Sequence, residues 1–101
     1  MRKLIGVIIF GVLLSIAQIA SAGPFEDGKA AYDRYEHATA LKLWRPLAEK
    51  GNAQAQNRVG GMYYFGEGVA QDYKEAMKWY RKAADQGEAA AQNSLGEIYD
   101  L

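Results

Sequence analysis

The chain has 101 residues, half of them hydrophobic, with 12 basic and 12 acidic side chains and no formal net charge. That length holds one small domain at most, and the balanced charge offers no clustered cationic surface for a nucleic-acid backbone. Cysteine is absent, which excludes a disulfide framework, a thiolate metal site and acylation through an N-terminal cysteine.

Met1-Arg2-Lys3 is a basic start, Leu4 to Ala17 is almost wholly apolar, and Ala20-Ser21-Ala22 has the small-residue pattern of a cleavage site. Together these predict a secretory signal peptide over residues 1–22, cut before Gly23. An uncleaved membrane anchor is the alternative. Ser15, Gln18 and Ser21 interrupt the stretch, and its apolar core is short for a span. Cleavage places residues 23–101 in the periplasm of a Gram-negative bacterium, or outside another host, with no membrane attachment. Losing Arg2 and Lys3 leaves the remainder weakly acidic.

Beyond the leader the pattern is helical throughout. Phe25 to Tyr35 reads as a first helix and Glu36-His37 as a tight turn. Thr39 to Lys50 reads as a second helix, because Ala40, Leu43, Trp44, Leu47 and Ala48 fall on one face. Pro46 lies inside it and predicts a kink. Gly51 is a C-terminal stop. Ala53 to Phe65 is a third helix with an apolar stripe of Ala55, Val59, Met62 and Tyr63. Gly60-Gly61 costs about 1 kcal/mol per glycine inside a helix, which points to a close crossing where no side chain fits. After the loop Gly66 to Gln71, Asp72 caps a fourth helix, with Glu75 placed for a capping box. Gly87 ends that helix, and Ala89 to Tyr99 forms a fifth.

These elements repeat. Gly51, Ala53, Ala55, Gln56, Asn57, Gly60 and Tyr63 return 36 residues later as Gly87, Ala89, Ala91, Gln92, Asn93, Gly96 and Tyr99. Ala40, Trp44, Arg45 and Ala48 align with Ala76, Tyr80, Arg81 and Ala84 at the same spacing. Gly28 and Tyr32 match Gly60 and Tyr64 only at 32, so the first unit has a shorter loop. A fixed period in this range predicts an all-α fold, an α-solenoid of antiparallel helix pairs with about two and a half repeats. Its last helix carries Leu95, Ile98 and Tyr99, which a further helix would ordinarily cover. Three readings stay open: a flush cap, self-association through Ala89 to Tyr99, or a fragment of a longer array.

Val59-Gly60-Gly61-Met62-Tyr63, Gly66-Glu67-Gly68-Val69, and Asp72-Tyr73 through Ala76, Trp79-Tyr80, Ala83-Ala84 and Gly87 resemble the Sel-one-like repeat, a relative of the tetratricopeptide repeats. The resemblance implies a right-handed superhelix that scaffolds protein complexes. Exported bacterial members often serve as adaptors or regulators, and some take part in host interaction. A cysteine-rich branch is described as penicillin-binding or β-lactamase-like; its paired cysteines are missing here.

The resemblance also implies that the helix Ala53–Phe65 lines the concave surface. Gln54, Asn57, Arg58, Gly61 and Tyr64 share that helix but lie off its packing stripe, and Asn93 repeats Asn57. These six are the candidate protein-binding residues. Their amides, with Gln56 and Gln92, either bond a partner's backbone or satisfy inter-helix turns. Catalysis has little to draw on. Outside the leader there is one serine (Ser94), one threonine (Thr39) and one histidine (His37), so a triad would require Ser94 beside His37 and a carboxylate. No Ser-x-x-Lys is present. One histidine makes no ordinary zinc site, the carboxylates Glu26, Asp27, Asp33 and Glu36 are not spaced as a calcium loop, and Gly66-Glu67-Gly68 lacks the lysine and strand of a phosphate loop. The sequence therefore predicts a non-enzymatic protein-binding adaptor without a cofactor.

Overall fold

The computed structural model describes residues 22–99. The expected leader, residues 1–22, lies outside them save for Ala22. Five helices follow one another: α1 (Pro24–Asp33), α2 (His37–Glu49), α3 (Ala53–Phe65), α4 (Tyr73–Asp85) and α5 (Ala89–Tyr99). No strand occurs among the described residues. Each helix packs chiefly on the next, most extensively within the pairs α1–α2 and α3–α4, so the all-α stack of helix pairs is as expected. None of these helices is long and apolar enough to cross a membrane.

The local chemistry sets the boundaries. Asn52 caps α3 by accepting the Ala55 N–H at 2.9 Å, and Asp72 caps α4 by accepting the Glu75 N–H at 3.1 Å. The reciprocal half of the expected capping box does not form. The Asp72 N–H bonds the Tyr63 carbonyl, and Glu75 pairs with Lys78 instead. The α1–α2 turn also lies elsewhere than predicted, at Arg34-Tyr35-Glu36. Tyr35 there holds a left-handed φ of 62° while 84% exposed. The α3–α4 loop places Gly66 at that kind of position, with φ of 70°. Helix α2 continues unbroken through Pro46. Pro46 and Lys42 are both exposed, so the carbonyl that loses its donor lies on the side bathed by water.

The interior is built from small residues with aromatics between them. Ala31, Ala40, Trp44, Ala48, Ala55, Val59, Met62 and Trp79 form one buried cluster. Ala76, Tyr80, Ala83 and Ala91 form a second. Glycine decides where the pairs close. A Cβ on Gly28 would overlap the Trp44 indole, and one on Gly60 would lie 2.8 Å from Tyr80 Cδ1. Two helices thus approach through a missing side chain in both repeats, as Gly60-Gly61 predicted. A Cβ on Gly61 would be looser, 3.4 Å from the Tyr80 hydroxyl, and one on Gly96 would meet nothing within 4 Å among the described residues.

The junctions between repeats carry paired bonds. Arg45 donates to the Tyr63 hydroxyl at 2.5 Å, and Arg81 donates to the Tyr99 hydroxyl. Gln56 donates to the Ala48 carbonyl, and Gln92 to the Ala84 carbonyl, each at 3.1 Å. Each second helix is thereby tied twice to the helix that follows it. Trp79 differs from Trp44. The Trp44 Nε1 donates to the Phe25 carbonyl at 3.0 Å, whereas the Trp79 Nε1 is buried with no hydrogen-bond partner among the described residues and the Lys82 ammonium sits 4.8 Å from its ring centroid.

Candidate protein-binding groove

Three clefts join along α1, α3 and α5. The first, about 290 Å³, lies where the N-terminal ends of α1 and α5 flank α3, and is lined by Phe25, Glu26, Lys29, Gln54, Asn57 and Arg58 among others. The second, about 170 Å³, shares Asn57 and Arg58 with it and adds Tyr32, Trp44, Gly61, Phe65 and Glu67. The third, about 150 Å³, shares Phe65, Tyr80 and Ser94 with the second and adds Tyr64, Glu97 and Ile98. They form one groove that crosses both repeats. A larger hollow of about 560 Å³ is lined, among the described residues, by α4 alone and brings no two elements together.

Most of the candidate residues line this groove. Gln54 sits at its upper end, Asn57 and Arg58 at its centre, Gly61 below them and Tyr64 in the lower cleft. Asn93 is exposed on α5 and lines none of the three. The two readings of the amides divide between neighbours. Gln56 is 4% exposed and fully engaged, donating to Ala48 and accepting from Gln86 at 2.9 Å. The Asn57 Oδ1 is buried and has no hydrogen-bond partner among the described residues. A buried acceptor without a donor costs about 1–3 kcal/mol.

The aromatic walls are arranged around these groups. The Arg58 guanidinium lies 5.5 Å from the Trp44 ring centroid, and Phe25 and Tyr32 pack beside that indole at 6.0 and 5.8 Å. The Tyr32 hydroxyl donates to both oxygens of Glu67, at 3.0 and 2.9 Å, and His37 Nε2 stands 3.8 Å from the same carboxylate. Burial first, and then the bond to Glu67, hold the Tyr32 phenol above its ordinary value of 10. Burial likewise raises the Tyr80 phenol, with Ser94 opposing. At the lower end Phe65 is 67% exposed and stacks edge-on to Tyr64 at 5.0 Å.

Sequence reasoning missed Glu67 and Phe65, one placed in a loop and the other at a helix end, where no periodicity marks a face. Tyr99, the repeat equivalent of Tyr63, is 60% exposed, because among the described residues α5 packs chiefly on α4 alone. Trp44 is buried and Tyr63 half-buried, as their apolar stripes predict, and Trp79 and Tyr80 are buried as well. His37 and Ser94 have separate partners: His37 packs on Tyr32 and faces Glu67, while Ser94 Oγ donates to the Ala90 carbonyl of its own helix.

Comparison with known proteins agrees with this architecture. A segment of 34 residues is 53% identical to part of an uncharacterized protein of Neisseria meningitidis serogroup B, covering 34% of this chain and 7% of that protein. The chain therefore matches only a small part of that relative's length. No solved structure matches it significantly. Residues 53–88, which span α3, α4 and the turn after them, match the Sel1 repeat family, a module whose general use is protein–protein interaction.

Proposed function

We propose that the chain is an exported scaffold that holds a protein or peptide segment in the groove along α1, α3 and α5. The observation that carries the reading is the continuity of that groove, which shares Asn57 and Arg58 between its first two clefts and Phe65, Tyr80 and Ser94 between its last two. A groove lined by three successive first helices accepts an extended segment rather than a compact small molecule. The Sel1 repeat at residues 53–88 supports the protein class of partner. The basic start and small-residue site at Ala20-Ser21-Ala22 support export to the periplasm or beyond, with Gly23 as the mature first residue.

The test is crosslinking in the native host with a C-terminal tag on the full chain, followed by identification of what co-purifies. One dominant partner is expected, lost on Asn57→Ala or Tyr64→Ala while the melting temperature holds. A partner retained by both variants would move the binding surface away from the groove. Co-purification of a second, differently tagged copy would instead favour self-association through α5. N-terminal sequencing of the same sample gives Gly23 if export proceeds as proposed.

A further inference from the structure

The α4–α5 end of the stack exposes residues whose counterparts one repeat earlier are engaged. In the first repeat the rings of Tyr32 and His37 lie 4.9 Å apart, and the loop of the second repeat sets Glu67 upon them. The Tyr32 hydroxyl donates to both carboxylate oxygens, and His37 Nε2 stands 3.8 Å away. Tyr64 and Tyr73 are the same pair, 32 and 36 residues on, with rings 5.2 Å apart. Neither is bonded to a carboxylate among the described residues. The Tyr73 hydroxyl accepts from Gln71 Nε2 at 3.1 Å, and the Tyr64 hydroxyl has no hydrogen-bond partner there, although it is not buried. The apolar contacts differ in the same way. Leu41 is 7% exposed, and Val69 of the loop packs on the cluster that holds it; its counterpart Met77 is half-buried. Val59 and Met62 are fully buried, whereas Leu95 and Ile98 are half-buried. Gly60 receives the Tyr80 ring, and Gly96 receives none among the described residues.

Any open array end exposes some apolar surface. Here the filled counterpart specifies what the surface takes: a carboxylate on a glycine loop, an apolar residue two positions later, and an aromatic ring on the helix that follows. In the second repeat these are Glu67, Val69 and Tyr80, all within the later half of the Sel1 match. We propose that the face formed by Tyr64, Tyr73, Gly96 and Ile98 docks the second half of a Sel1-type repeat, a Gly-Glu-Gly loop with its aromatic helix, carried by a partner protein. The docking continues an interface the molecule already contains, that of Glu67 and Gly68 on α1 and the start of α2. A second copy of this chain does not supply the loop. Its Glu67 is held by its own Tyr32, and its first repeat reverses at Arg34-Tyr35-Glu36 without a glycine loop. Lys74, exposed at the position of Ala38, sets a cation against Glu97, which lines the cleft beside Tyr64. The face adjoins the lower cleft of the groove and stands whether or not a segment fills that groove.

The isotope-labelled full chain is titrated with a synthetic peptide of the sequence Gly66 to Gly87. The same peptide stapled between Lys78 and Lys82, both on the exposed face of α4, supplies the helix preformed. The stapled peptide is expected to move the backbone amides of Gly96 and Tyr73 and to leave those of Gly28 and Gly60 in place. Glu67→Gln in the peptide should weaken binding about tenfold, as loss of a charge-assisted hydrogen bond implies. Gly96→Ala in the full chain puts a Cβ where the incoming ring must lie, as a Cβ on Gly60 would meet Tyr80. It should weaken binding at least as much while the melting temperature holds or rises. Shifts centred on Tyr32 and Gly60 would mean that the peptide displaces α4, and would overturn the proposal. So would an unmoved Gly96 with both peptides, or binding indifferent to either substitution.

Discussion

The pairs α1–α2 and α3–α4 close on the same internal contact and turn by opposite means. In each, a glycine of the first helix receives an aromatic ring of the second: Gly28 takes Trp44 and Gly60 takes Tyr80. The first pair then reverses in three residues, with Tyr35 forced into a left-handed conformation. The second spends a glycine loop on the reversal and uses it to reach back. Glu67 meets Tyr32, and Gly68 lies so close to the start of α2 that a Cβ would be 2.7 Å from the His37 carbonyl carbon. The contact that joins two helices is therefore fixed, while the loop is free to acquire a second use. Here that use is tying the second repeat to the first.

The glycine contacts are the sharpest place to break this comparison. Gly28→Ala is expected to cost about 2–3 kcal/mol, because the buried indole is anchored by its bond to Phe25 and cannot retreat. Gly60→Ala is expected to cost about 1–2 kcal/mol, since a single tyrosine ring must shift. Gly96 occupies the same repeat position with open space, so Gly96→Ala should raise stability by about 0.5–1 kcal/mol through helix propensity alone. Urea unfolding of the three variants tests both the order and the change of sign. Equal losses at all three would mean that the glycines act through the backbone and not through the rings.

The junction bonds come next in size. Tyr63→Phe removes the hydroxyl that Arg45 reaches in a half-buried setting and should cost about 1 kcal/mol. Tyr99→Phe removes its repeat equivalent on an exposed ring and should cost under about 0.5 kcal/mol. Thermal melts that rank the two the other way would place the stronger junction at α5. The smallest effect sharpens the contrast between turns. Tyr35→Gly relieves a left-handed conformation of about 1 kcal/mol and returns part of it as unfolded-chain entropy, for a net gain of about 0.5 kcal/mol. A loss on Tyr35→Gly would show that the ring, 6.0 Å from His37, contributes more than the strain.

Periodicity made the second pair legible and the first only partly so. Helix α3 spans the predicted Ala53–Phe65, and α5 begins at Ala89, where the 36-residue repeat places its start. Helix α2 starts two residues before the predicted Thr39, because the turn rests on a strained tyrosine and carries none of the glycine or asparagine that signals a left-handed residue. The groove was half visible. The recurring amides Gln56 and Asn57 stand side by side, and a 100° rotation between neighbours sends one to the junction and the other to the cleft. No pattern in composition separates them. Glu67 was invisible for another reason: its partners are 35 and 30 residues away, across a repeat boundary.

The stacking of each helix mainly on its chain neighbours makes the molecule behave as a short one-dimensional array, in which either end can fray while the middle stays shut. A segment lying in the groove touches α1, α3 and α5 together, helices the chain itself does not join in succession. Occupancy therefore adds a strut running across the array. Its effect would be felt most in the amide exchange of α5, the helix farthest along the chain from α1.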